Sequence, residues 1–291
     1  MCGLKAVSKV IGLIRLLRPP NCIMTGLAVL VGEAIAYRNL HLHPSLLGFV
    51  TAFTITGASM VTNDYWDRHV DAINAPDRPI ASGLISTRLA LYYALVLIAV
   101  GLSSALLTST LCLLITVVSL LISLFYNYQG KKLGLVGNFM VSACIAIPLI
   151  YGGFVYGGSG LGFERLKLLF LFDLMVFLSN TGREVNKGIA DVEGDRVRGV
   201  RTVAVSFGSR AAASVAVVLY LSAVALSVFP SLLSLTSWLY LPIVAVADAG
   251  FIASSFILLS DYSKGSALKV KKMVMIWMLI GLISFFAGVF V

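Results

Sequence analysis

Apolar stretches recur along the whole chain, at positions 21–38, 44–63, 86–107, 110–128, 135–156, 166–186, 210–229, 237–259 and 273–290, with short polar segments between them. A helix of about 20 residues crosses a hydrocarbon layer of about 30 Å, and in lipid a helix satisfies its own backbone hydrogen bonds. The pattern predicts nine transmembrane helices in an all-α bundle, forming one membrane domain over 1–291. Residues 1–20 read differently: Val7, Val10, Ile11, Ile14 and Leu17 alternate at helical spacing with Lys5, Lys9, Arg15 and Arg18, as in an amphipathic helix lying on the interface. No small-residue cleavage site follows an apolar core there, so a cleaved signal peptide is not expected.

Composition agrees. Of 291 residues, 59% are hydrophobic and 12% charged, against about 25% charged in soluble domains. The net charge of +9 raises nucleic acid as a partner, but the placement of the cations argues for membrane orientation instead. With the N-terminus in the cytoplasm, 19 of the 22 Lys and Arg residues fall on the inner side, leaving Arg38, Arg165 and Lys167 outside. A multi-pass protein of the cell membrane is expected, with its C-terminus outside and no nucleic-acid partner. Cys2, Cys22, Cys112 and Cys144 are scattered, without the spacing of a zinc site or a disulfide framework. Within the spans, Glu33, Asp173 and Asp248 are costly in lipid and should face neighbouring helices or a cavity, while Gly152, Gly153, Gly157 and Gly158 suit close helix approach or a loop.

The two long polar stretches, over 63–86 and 183–209, both fall on the cytoplasmic side and form an Asp-rich cap. The first reads Asn63-Asp64-Tyr-Trp-Asp67-Arg-His-Val-Asp71 and then Arg78-Pro-Ile-Ala; the second contains Arg183, Glu184, Lys187, Asp191, Glu193 and Asp195 and then Arg201-Thr-Val-Ala. They lie four spans apart in the same orientation. Two four-helix repeats plus a ninth helix are the simplest account. Eight of the 13 acids occupy these two stretches, whereas mere charge decoration would not gather them twice on the side where cations dominate. Asp64, Asp67 and Asp71 fall on one helical face. Three carboxylates so placed repel unless a cation joins them. Oxygen donors without His or Cys suit magnesium, which takes one or two carboxylates and fills its remaining sites with phosphate oxygens and water. Arg183 and Lys187, sharing a face with Asn180, can contact those phosphates directly. Asn63 alone is also compatible with a helix C-cap.

These residues resemble the UbiA family of intramembrane prenyltransferases, whose signatures are NDxxDxxxD and a second DxxxD after the sixth helix: here Asn63-Asp64-x-x-Asp67-x-x-x-Asp71 and Asp191-x-x-x-Asp195. The family's Tyr-x-x-x-Lys element is similar to Tyr128-Gln-Gly-Lys131-Lys132, with Tyr126 and Lys131 as a second register. The resemblance spans nearly the whole chain. It implies a helical bundle around a central cavity, with a lateral opening to lipid and two Mg2+ ions on a prenyl diphosphate held by Asp64, Asp67, Asp71, Asp191 and Asp195. It also implies roles for Asn63, Tyr128, Lys132, Arg183 and Lys187 around that diphosphate.

Within the family, Leu16-Leu-Arg18-Pro-Pro-Asn21 and the stretch from Asn180 to Asp195 look most like the archaeal ether-lipid subgroup. Those enzymes join geranylgeranyl diphosphate to the free hydroxyl of geranylgeranylglyceryl phosphate. An acceptor phosphate requires a further cationic site, for which Arg15, Arg18, Lys131, Lys132 and Arg201 are available, with Asn21 beside them. An aromatic acceptor such as a hydroxybenzoate or naphthoate would keep the same Asp motifs. A transporter would instead place its polar groups at the centres of broken helices.

Overall fold

In the computed structural model the described residues are 2–197 and 199–290, with the side chains of residues 2–6 and Asn74 outside the description; the readings on Cys2, Lys5 and Arg198 therefore lie outside the described residues. All regular structure among the described residues is helical: α1 (Cys2–Leu17), α2 (Pro19–Tyr37), α3 (Leu42–Asn74), α4 (Thr87–Thr108), α5 (Thr110–Tyr128), α6 (Leu135–Gly153), α7 (Phe163–Ala190), α8 (Val192–Val197), α9 (Val203–Ser227), α10 (Phe229–Leu232), α11 (Tyr240–Ser260) and α12 (Lys264–Ala287), with one 3-10 turn at Gly130–Leu133.

Eight of these are long and apolar enough to cross a membrane: α2, α3, α4, α5, α6, α9 (the crossing running on through α10), α11 and α12. The expected sixth span, α7, is not among them. At 28 residues it is about 42 Å long, so length does not disqualify it. Its apolar middle is interrupted by Asp173 and bracketed by Lys167 and Arg183.

Consecutive long helices pack on one another from α2 through to α12, and α12 returns to α2, closing a ring. Four buried apolar clusters run through it. One joins α7, α9, α11 and α12 around Tyr220, Phe251 and Leu258; another, around Phe172, Tyr240 and Phe285, joins α2, α6, α7, α11 and α12. The crossing of α2 and α6 depends on two glycines. A Cβ on Gly32 would collide with the Leu149 carbonyl, and one on Gly152 with the Val29 carbonyl. Backbone-to-backbone approach of this kind stands in for the hydrophobic drive that lipid does not supply between membrane helices.

In α1, Val7, Val10, Ile11 and Ile14 are exposed, as are Lys9 and Arg15, whereas Leu16 and Leu17 are buried against α3 and α4. Glu33 is fully buried, and its two carboxylate oxygens accept from the His41 backbone N–H at 3.2 Å and from Ser45 Oγ at 2.7 Å. It thus satisfies donors at the start of α3, where the N-cap His41 offers no side-chain bond. Cys22, Cys112 and Cys144 are free thiols.

Candidate active site

The first acidic stretch is helix before it is loop. α3 continues for eleven residues past Asn63, so Asn63 is not a C-cap; its Nδ2 donates to Asp67 Oδ2 at 3.1 Å, one turn further on. Carrying the helix through this stretch keeps Asp64, Asp67 and Asp71 on one face, as the i, i+3, i+7 spacing requires. Asp64 and Asp71 are buried. Each is held by a guanidinium: Arg18 Nη2 donates to Asp64 Oδ1 at 2.7 Å, while Arg78 Nη1 reaches Asp71 Oδ2 at 2.6 Å and Asp64 Oδ1 at 3.2 Å. Asp67 receives Lys131 Nζ at 2.6 Å.

Local structure aims these cations. Arg18 sits between α1 and α2 with a left-handed backbone, φ 50 and ψ 66, immediately before Pro19. A residue preceding proline disfavours helical geometry, and a non-glycine residue here stores about 1–3 kcal/mol of strain. The pair with Asp64 accompanies that strained position. Arg78 lies in the turn after α3, whose neighbours Ile80 and Ile85 are buried among Leu16, Leu17 and Ala58, fixing the turn over the end of the helix. The Lys131 turn is docked by Gly134, at φ 59, where any Cβ would strike the Arg201 carbonyl. This brings the segment after α5 against the segment before α9. Burial lowers the Lys131 pKa below the usual lysine range, an effect Asp67 partly opposes.

On α7, Glu184 is buried between Arg183 Nη1 at 2.7 Å and Lys187 Nζ at 3.2 Å. One carboxylate therefore sets the position of both cations that the sequence assigned to phosphate. Asn180 is buried and donates to Ser142 Oγ at 3.1 Å, a bond between α7 and α6. Asn186 donates to the Ala267 carbonyl at 3.0 Å, tying α7 to α12. Asp191 caps α7 and is exposed, and Asp195 follows one turn later on α8.

The two halves face each other. Lys131 lies within electrostatic reach of Asp67, Asp71 and Lys187; Tyr126 within reach of Lys187, Glu184 and Asp67; and Lys271 of α12 within reach of Lys187, Arg183 and Asp191. Other sequence candidates stand further off. Lys132 is exposed, and Tyr128 is more than half exposed with its ring 4.9 Å from that of Trp66. Asn21 approaches Met60 Sδ at 3.9 Å, Arg15 donates to the Asp77 carbonyl at 3.0 Å, and Arg201 is exposed. Sequence reasoning left Arg78, Glu184 and Lys271 out of the site and kept Tyr126 only as an alternative. Arg78 was signalled by its repeat counterpart Arg201, and Tyr126 by the second register of the Tyr-x-x-x-Lys element; Lys271 had no local signal.

Below this polar cluster lies an apolar cavity between α2, α6, α7, α9, α11 and α12. Thr25, one turn past Asn21, and Ser179, one turn before Arg183, mark its upper edge, and Met175, Phe251, Trp277 and Asp248 line it further down. Asp248 accepts from Ser227 Oγ at 2.6 Å. Among the described residues no three His, Cys, Asp or Glu side chains converge as a ready-made metal cage. The donors present are carboxylates with cationic neighbours, and Asp64, Asp67 and Asp71 are close enough for their charges to interact. That set fits a hard divalent ion completed by phosphate oxygens.

Comparison with known proteins agrees with this geometry. The profile of the UbiA prenyltransferase family matches residues 25–283. Digeranylgeranylglyceryl phosphate synthase of Methanopyrus kandleri is 34% identical over 94% of this chain and 98% of its own length. The synthase of that name from Archaeoglobus fulgidus is 36% identical over 94% of each chain. A solved structure of digeranylgeranylglyceryl phosphate synthase superposes with a TM-score of 0.79 at 30% identity, covering 97% of this chain and 98% of the other. A UbiA homologue from Archaeoglobus fulgidus, solved with DMAPP and Mg2+, shares the fold at a TM-score of 0.68 and 18% identity over 94% of this chain and 98% of its own. This multi-pass membrane protein, with its paired acidic motifs over an apolar cavity, belongs to the UbiA prenyltransferase family.

Proposed function

We propose that the chain transfers a geranylgeranyl group from geranylgeranyl diphosphate to the free hydroxyl of geranylgeranylglyceryl phosphate, giving digeranylgeranylglyceryl phosphate and diphosphate. The observation that carries this reading is the stacking of a polar, cation-rich cap on an apolar cavity, with Arg183 and Ser179 one turn apart on α7 across the boundary. It is supported by the name shared by relatives that match 94% of this chain.

In this reaction the bond from the allylic carbon to the diphosphate oxygen breaks, the acceptor oxygen bonds that carbon, and the hydroxyl proton is released. The residues of the chain mainly stabilise charge. Arg183, Lys187 and Lys131 bind the diphosphate, with Glu184 orienting the first two. Tyr126, in register with Lys131, lines the polar side of the site. Asp64, Asp67, Asp71, Asp191 and Asp195 would hold magnesium, which when bound offsets the charge of the departing diphosphate. The relative solved with DMAPP and Mg2+ supports divalent-ion use, and two Asp motifs suit two ions. Arg18 and Arg78 hold Asp64 and Asp71 in place. Arg18, Asn21 and Arg201 sit along the rim where the acceptor phosphate would enter.

α7 is proposed as the ninth crossing, the N-terminus and both acidic motifs being cytoplasmic and the C-terminus outside. The neighbour order α2–α3–α4–α5 recurs as α6–α7–α9–α11, in keeping with two repeats. Each polar stretch also ends on a glycine at positive φ, Gly83 at 76° and Gly208 at 87°.

The test is prenyl transfer by purified protein from labelled geranylgeranyl diphosphate, with geranylgeranylglyceryl phosphate or 4-hydroxybenzoate as acceptor, with and without magnesium. Magnesium-dependent product from the glyceryl phosphate supports the assignment. Product only from hydroxybenzoate, or none from either with folded protein, overturns it.

A further inference from the structure

At the end of the bundle opposite the acidic motifs, Arg38 and Arg165 line a hollow of about 330 Å³ together with Glu164, Leu233, Ser234 and Leu235. α2 carries Arg18 at one end and Arg38 at the other, so the hollow lies a full helix length from the candidate active site. The two guanidinium groups are near enough for their charges to repel. Neither has an acid within ion-pair distance among the described residues; Glu164, which shares the hollow, pairs with Lys167 at 2.8 Å. Arg165 Nη1 is buried with no hydrogen-bond partner. A buried guanidinium N–H left unpaired is costly, and two like charges sharing a hollow add to that cost unless an anion joins them.

Two further observations concern the same place. The described non-glycine residues at positive φ are Arg18, Arg38 and Ser234; the first contacts Asp64, and the other two line this hollow. Cations on this side also run against the charge bias of the whole chain, and two of the three found there meet here. The surroundings are those of a bilayer edge, since Phe163, Leu232, Leu233 and Trp238 are all exposed close by in the chain.

We propose that the hollow formed by Arg38 and Arg165 binds the phosphate of an anionic lipid head group. The guanidinium pair supplies planar donors for phosphate oxygens, and Leu233 and Leu235 form an apolar wall against which the lipid's glycerol end can rest.

The full chain in neutral detergent is heated with phosphatidylglycerol, with phosphatidylcholine or with inorganic phosphate, and unfolding is followed. Phosphatidylglycerol raises the wild-type midpoint by several degrees and the other two do not. In Arg38→Gln, whose side chain is exposed, and in Arg165→Lys, the rise falls to less than half, while prenyl transfer proceeds at the wild-type rate. An undiminished rise in both variants, or no rise in the wild type, overturns the site. A rise with inorganic phosphate equal to that with the lipid overturns the assignment to a lipid. The unfolding readout does not depend on which acceptor the enzyme prenylates.

Discussion

Arg18, in the link between the first two helices, reaches Asp64, 46 residues away on α3, with a nitrogen-to-oxygen distance of 2.7 Å. Asp64 is almost completely buried, and Arg18 and Arg78 are its ion-pair partners. Arg18→Lys loses the planar donor geometry and slows prenyl transfer about tenfold, corresponding to about 1.4 kcal/mol of transition-state stabilisation. Arg18→Ala slows it further. Unchanged kcat/KM in Arg18→Ala would remove Arg18 from the site.

Asp64→Ala and Asp191→Ala each reduce turnover below detection, and chelation of divalent ions does the same to the wild type. Membrane insertion and expression stay normal, because neither change adds a charge to a spanning helix. Steady-state rates with and without added magnesium, read beside detergent gel filtration, check both statements. Near-wild-type rates in both variants would sink the metal assignment.

Two adjacent lysines separate cleanly. Lys131 is bonded to Asp67, while Lys132 is exposed. Lys131→Ala should raise KM for the prenyl diphosphate and lower kcat by one to two orders of magnitude, as expected for a charge-assisted contact worth about 1.5–3 kcal/mol. Lys132→Ala stays within about twofold, in line with the effect of about 0.5 kcal/mol or less typical of exposed sites. The reverse order would favour the Tyr128–Lys132 register.

Gly152→Ala places a methyl group against the Val29 carbonyl of the neighbouring helix. Overpacking of this kind costs about 1–3 kcal/mol. A lower unfolding temperature in detergent is the expected result, with Gly281→Ala, where space is open, as the control.

The sequence made most of the helical architecture legible because lipid imposes one simple rule on apolar length. α7 falls outside the composition rule because Asp173, Arg183, Glu184 and Lys187 lie along it, and the pairing of the last three is something hydropathy does not see. The acidic motifs were legible through spacing alone, since Asp64, Asp67 and Asp71 repeat with the helix. Arg78 and Glu184 were not, because their importance lies in what they hold, and contacts such as Arg78 to Asp71 depend on how a turn is pinned by Ile80 and Ile85. The sequence left Tyr126 and Tyr128 both open, because which side of α5 faces α7 is a matter of tertiary packing.

The composition of α7 bears on how the protein is made. A central Asp costs about 2.5–3.5 kcal/mol when a lone helix leaves the translocon, and α7 adds Arg183, Glu184 and Lys187 near one end. Its partners α9 and α12 are synthesised later. As the crossing proposed above, nascent α7 is poorly retained until those helices emerge, and chains truncated after Ala190 should fail to hold it across the bilayer, whereas chains ending after Ala287 succeed; glycosylation mapping of the two lengths reads the difference. The same polar residues proposed to bind substrate thus make membrane integration cooperative, with the second acidic motif reaching its final position only when the last helix arrives.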